Sequence, residues 1–198
     1  MNMPEPQQAL VRSTIDIGTV LTNAGRTFVG DIVVLILAAL VAGLLSVVTL
    51  GILAGPLYAG LYSMVIARCK EGKKPEVGDV FSELGRFWAF FGSTLLLLLL
   101  IGLACITIIG GILLTTIWIY VFPLMVDRKI GVIAAMRMSK AMVTRAGFWE
   151  HLALVLLLLV IGTIGNGPIV LLTVPFTVAA VVVAYGSLSG DQEAAPQA

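Results

Sequence analysis

Asp31, Glu150 and His151 stand at the entries of long uncharged stretches in this chain. Ionisable groups set against a membrane interior are costly and usually functional, so chemistry is sought there first. A carboxylate beside an imidazole could relay a proton, act as general acid and base, or supply part of a metal shell. The ligand count falls short, because the Glu150–His151 pair has no third partner at metal-binding spacing. No Ser or Cys has a base at a telling distance along the chain, and GxGxxG, Walker-type and HExxH patterns are absent from the sequence. All three residues lie within about one turn of the start of an apolar stretch, where water and headgroups stay in reach. The expectation is an interfacial polar cluster of Asp31, Glu150 and His151, with a buried pairing of Asp31 with Glu150 or His151 as the sharper alternative. No catalytic, cofactor or metal site is expected, and the chain is read as not an enzyme.

The elements that must position these groups follow from composition. The chain is 59% hydrophobic and 12% charged, against roughly 45–50% apolar and about 25% charged in soluble domains, and its mean hydropathy is +1.07. Such a chain belongs in lipid. A net charge of +1 gives no support to nucleic-acid binding. Cys69 and Cys105 lack any CxxC or Cys/His spacing and read as small apolar filler.

Asp, Glu, Lys and Arg are absent from Ile32 to Ala67, Phe87 to Val126 and His151 to Gly190, gaps of 36, 40 and 40 residues. A spanning helix needs about 20 residues, and one helix through 40 would be about 60 Å long, twice the hydrocarbon thickness. Each gap is therefore sized for two spans with a turn between them. The glycines and prolines of "LGILAGP" (Leu50 to Pro56), "IGG" (Ile109 to Gly111) and "GNGP" (Gly165 to Pro168) supply the predicted turns. The resulting fold class is all-α: a polytopic transmembrane bundle of six helices, about 29–49, 54–69, 88–108, 111–126, 148–164 and 168–187, with Pro175 kinking the sixth. The second and fourth helices are short for a bilayer.

Every basic residue falls before the first predicted span, between the second and third, or between the fourth and fifth. That one-sidedness places both termini in the cytoplasm. The opening "MNMPEPQQAL" lacks the basic n-region of a removable signal, and 1–12 is expected to be a disordered lead, with a disordered tail at 188–198. Between them, 13–187 reads as one domain of three repeat units, about 13–70, 76–128 and 130–187.

Each unit begins with a segment of helical amphipathicity, expected to lie on the membrane surface. The first puts Ile17, Val20, Leu21, Ala24 and Phe28 on one face after a candidate Ser13 cap. The second does so with Val77, Val80, Phe81, Leu84 and Trp88, capped by Asp79. The third uses Ile130, Ala134, Met138, Ala141 and Met142. Arg26 to Arg86 is 60 residues and Arg86 to Arg145 is 59, while Phe28, Trp88 and Phe148 recur at intervals of 60. The repeating unit is surface helix, span, turn, span.

Gly55, Ala59, Ser63 and Ala67 recur every four residues on the second span and form a small stripe for close helix packing, within the monomer or between subunits. The basic loops offer Lys70, Lys73, Lys74, Arg137, Lys140 and Arg145 to anionic headgroups or a protein partner.

The stretches "GPLYAGLYSMVIARCKEGKKPEVGDVF" and "FPLMVDRKIGVIAAMRMSKAMVTRAGFWEHL" resemble the membrane domain found with glycerophosphoryl diester phosphodiesterases, and related uncharacterised bacterial integral membrane proteins. Gly55, Pro56, Gly72, Lys74, Pro75, Asp79, Phe81, Ala135 and Ser139 stand at the matching positions. The catalytic activity of that group belongs to a separate soluble barrel, so the resemblance implies a six-helix bacterial inner-membrane protein and not a phosphodiesterase. The expected role is to organise membrane lipids or protein partners, itself included as a homo-oligomer. A transporter or channel for a small or lipid-like solute is the first alternative, and an interfacial membrane enzyme the second.

Overall fold

Asp16 starts the first helix. Its carboxylate accepts from the Gly18 amide at 3.0 Å and from the Thr19 hydroxyl at 2.5 Å, meeting one of the free N–H groups of a helix N-terminus. The computed structural model describes residues 15–164 and 169–189, and all regular structure among them is helical. Ser13, the lead at 1–12, the Gly165–Pro168 turn and the chain after 189 lie outside the described residues. The Thr19 hydroxyl, then the Gly18 amide, hold the Asp16 carboxyl below its usual range. A depressed folded pKa stabilises above the unfolded value, about 3.9, and is lost as pH falls through the folded one. The first turn should therefore stay formed from neutral pH to about 4 and fray only below it, followed through the Gly18 amide resonance in detergent.

Helix α1 (Ile17–Gly30) meets α2 (Ile32–Val48) at an angle of 88°. The chain reverses through residues 49–53, where Leu50 and Gly51 adopt φ of 51° and 85°, as the "LGILAGP" reading expects. Helix α3 (Ala54–Glu71) carries Pro56 in its first turn, where a missing N–H costs nothing, and ends at Gly72 in the left-handed region. Two 3-10 turns, Val77–Phe81 and Leu84–Arg86, lead into α4 (Phe87–Ala104). Then follow α5 (Ile108–Ile117), α6 (Val121–Asp127) and α7 (Val132–Ala146). After a bend of 109° come α8 (Phe148–Ile164) and α9 (Val170–Ser189), which continues through Pro175.

Helix α3 is the hub, packed against α2, α4, α6, α9 and the first 3-10 turn. Three stretches are long and apolar enough to cross a membrane: Val77–Ala104, Ile109–Asp127 and Val170–Ser189. The number rises to five if the bent pairs α1/α2 and α7/α8 each count as one span. The six full spans read from the sequence are thus not all met by length and composition. Helices α2 and α8 have 17 residues each, about 26 Å, and α3 places Arg68, Lys70 and Glu71 in its last four residues.

Four further expectations change. The "IGG" glycines do not make a turn; the chain turns at 105–107, and they lie inside α5. Their role is close approach, since a Cβ on Gly110 would sit 2.8 Å from the Ala104 carbonyl oxygen and one on Gly111 would collide with Cys105 Sγ. The fourth predicted helix is broken at 118–120, because Pro123 has no N–H to give Ile119 and its ring crowds that carbonyl. The second surface segment is 3-10 rather than α, with a reciprocal Glu76/Asp79 capping box and glycines at 78 and 85 that lower its helix propensity. The buried face of α7 is Ala135, Ser139, Val143 and Ala146, rotated from the predicted Ile130, Ala134, Met138, Ala141 and Met142 stripe. Small residues let that face approach α6 closely, while the methionines pack beside it.

Candidate functional site

Charged residues between Asp31 and Lys129 pair across the ends of the helices. Arg68 Nε donates to Asp31 at 2.6 Å, joining the end of α3 to the α1/α2 bend. Two residues on, Lys70 Nζ reaches both oxygens of Asp127 at 2.9 Å, joining α3 to α6. Tyr185 of α9 donates its hydroxyl to the same carboxylate at 2.7 Å. Glu83, buried, pairs with Lys129 at 2.7 Å and Arg86 at 3.6 Å. Arg86 also donates to the Met125 carbonyl at 2.8 Å, completing an orphan acceptor at the end of α6. These contacts form one polar layer. Its partners are 37, 57 and 46 residues apart for Arg68–Asp31, Lys70–Asp127 and Lys129–Glu83, so the fold alone brings them together.

The three residues of the cluster read from the sequence, Asp31, Glu150 and His151, each make contacts of their own. Among the described residues no hydrogen bond or ion pair links Asp31 to either of the others. Asp31 is taken by Arg68, whose guanidinium neutralises it at the edge of the apolar region. Glu150 folds back over Gly147, where a Cβ would collide with its carboxylate; Gly147, at φ 107°, is also in a conformation that favours glycine. His151 is fully buried and its Nδ1 lies 2.6 Å from the Gly147 carbonyl oxygen. That carbonyl can only accept, so Nδ1 carries the proton and Nε2 keeps a lone pair.

Sequence reading missed the neighbours of His151. Its ring stands edge-on to Tyr120 at 5.5 Å, and Tyr120 lies 6.1 Å from Tyr185. Tyr120 sits at the break between α5 and α6, and Ser139 supports that break by donating to the Ile117 carbonyl at 2.7 Å and accepting from the Tyr120 amide at 3.2 Å. The break at Pro123 was the available signal, since a broken helix needs a polar side chain from elsewhere. Tyr120 Oη and His151 Nε2 are buried without a hydrogen bond among the described residues. An orphan buried hydroxyl is a cost. Tyr120→Phe should leave the melting temperature in detergent unchanged or raise it, by up to about 1 kcal/mol of stability. A loss of more than about 1 kcal/mol would mean that bound water satisfies the hydroxyl.

The basic residues divide into two sets. Lys70 and Lys73 are spent in ion pairs, with Asp127 and with Asp79 at 3.2 Å. Lys74 is exposed, as are Arg137, Lys140 and Arg145 on the outer side of α7, and none of these four has an ion pair among the described residues. Ile133 and Trp149 are exposed on or beside the same helix.

The small stripe on α3 faces inward in part. Gly55 and Ala59 are buried and Ser63 and Ala67 half-buried. A Cβ on Gly55 would stand 2.6 Å from the Phe90 carbonyl oxygen, so this end packs on α4. Outside the stripe, Gly60 lets the Val80 backbone lie directly on α3. Between α4, α5, α8 and α9 there is a pocket of about 620 Å³ with apolar walls that include Leu97, Ile101, Trp118, Phe122, Leu158 and Val181. Among the described residues no group of three His, Cys, Asp or Glu could hold a metal ion.

No protein-family profile, curated protein or solved structure matches this chain.

Proposed function

We propose that this chain is a multi-pass protein of the bacterial inner membrane, built as three hairpins with both termini cytoplasmic, that binds anionic lipid headgroups through α7 and performs no chemistry of its own. One observation carries this reading: the polar layer consumes Arg68, Lys70, Arg86 and Lys129 internally, but leaves Arg137, Lys140 and Arg145 exposed on one helix beside Ile133 and Trp149. Basic side chains beside apolar ones on a helix that bends sharply into the bundle are what an interfacial helix needs to hold an anionic surface. The pairing of Asp31 with Arg68 and of His151 with the Gly147 carbonyl supports a structural use of these groups. The resemblance to the membrane domain that accompanies glycerophosphoryl diester phosphodiesterases supports the inner-membrane setting on the same footing.

Each basic residue near an anionic surface contributes about 1 kcal/mol. The triple variant R137E/K140E/R145E should therefore lose its preference for phosphatidylglycerol over phosphatidylcholine by more than about tenfold, read as retained lipid by native mass spectrometry after reconstitution. The difference should shrink at high salt in the native chain. An unchanged preference in the triple variant would sink the proposal.

A further inference from the structure

We propose that the pocket between α4, α5, α8 and α9 holds one acyl tail of a membrane lipid, taken in sideways from the bilayer. Helices α4 and α8 each pack on α5, and the pocket occupies the space they leave. Its volume of about 620 Å³ lies within the range of about 300–1,000 Å³ typical of small-molecule sites. Four residues with hydroxyls line it, Tyr62 and three threonines, and each threonine is already used: Thr94 donates to the Phe90 carbonyl, Thr115 to Gly111 and Thr177 to Thr173. The threonines thus spend their protons on their own helices. Ordered water needs two to four polar partners, so it is a poor filling for these walls.

The surroundings name the occupant. All three stretches that can cross a membrane contribute to the pocket. Leu98 and Leu159, which also line it, are 69% and 44% exposed and so mark an opening on the outer surface of α4 and α8. Outside that opening, at the depth of the spans, the solvent is lipid hydrocarbon. A tail can enter there without leaving an apolar medium, and its headgroup needs no partner in the pocket. The inference rests on the membrane reading above but not on the α7 contact, so the pocket should not distinguish headgroups.

The test uses phosphatidylglycerol and phosphatidylcholine, each carrying a diazirine midway along one acyl chain, in nanodiscs with the full chain. After irradiation, adducts are mapped by mass spectrometry. Leu97 and Leu158 are buried from bulk lipid, yet should be labelled as strongly as the outward-facing Val33 and Val47, while Leu35 and Ala42, buried away from the pocket, stay unlabelled. Both lipids should give the same pocket adducts; equal labelling with lost headgroup preference would fail the α7 reading alone. Ile101→Trp fills the pocket and should reduce labelling of Leu158 at least tenfold without moving the melting temperature. If that variant does not fold, bimane on Cys105 in a C69S chain should be quenched more by a lipid spin-labelled in mid-chain than by one labelled at the headgroup. Adducts confined to outward-facing residues, or crosslinks between two copies through the pocket walls, would overturn the proposal.

Discussion

Replacing Gly60 by valine should destabilise the chain by about 3 kcal/mol or more and lower its melting temperature in detergent by about 10 °C. A Cβ at this position would collide with the Val80 carbonyl oxygen, with the carbonyl carbon 2.6 Å away and the Cα 2.9 Å away. All three obstacles are backbone atoms, so no rotamer change relieves them. Val80 cannot retreat cheaply either, because it is buried inside a 3-10 turn tied by the Glu76/Asp79 capping box. The turn must lift off α3, and its loop should then be cut faster by trypsin after Lys73. Gly43→Ala is the control: a Cβ there meets nothing within 4 Å, and the change should be neutral or stabilise by up to about 1 kcal/mol. Equal melting temperatures for Gly60→Val and the native chain would refute the contact.

Gly60 also shows how far the sequence could be read. Charge gaps placed the apolar helices well, since lipid excludes Asp, Glu, Lys and Arg whatever the packing. Turn positions were legible where glycine takes a left-handed φ, as at Gly51, and illegible where it serves close packing, as at Gly110 and Gly111. The two uses look identical in a string of letters. A four-residue period marked the small stripe from Gly55 to Ala67, but Gly60 lies off that period because its partner is a 3-10 turn and not a helix running alongside. The face of α7 was misjudged for a related reason. Apolar size pointed to the methionines, whereas small residues, Ala135 and Ser139, set the depth of packing.

The polar site was legible only at its edges. Asp31 and Asp127 border charge gaps, and such residues can be named as interfacial from position alone. Their partners cannot, because Arg68 lies 37 residues from Asp31 and Lys70 lies 57 from Asp127, and the sequence reading offered only Glu150 or His151 to Asp31. The fold decides by burying His151 against Tyr120, with its Nδ1 on the Gly147 carbonyl and not on a carboxylate.

Asp127→Ala should cost about 2–4 kcal/mol, the second large effect, because one carboxylate joins α3, α6 and α9. The Lys70–Asp127 pair is 27% and 15% exposed, so water reaches it only in part and the loss approaches that of a buried pair. Removing the acid leaves the Lys70 ammonium and the Tyr185 hydroxyl without the group that satisfied both. Asp127→Asn keeps an acceptor for Tyr185 but not the charge, and its melting temperature should fall between those of Asp127→Ala and the native chain. The more exposed Lys73–Asp79 pair is a contrast: Lys73→Ala should cost less than about 1 kcal/mol, and that loss should vanish in high salt. Combining Asp127→Leu with Lys70→Met removes the buried charge along with its partner, and the double variant should recover much of the stability lost by Asp127→Leu alone. Additive losses in that cycle would mean that the carboxylate holds the hairpins together through Tyr185 and not through the ion pair.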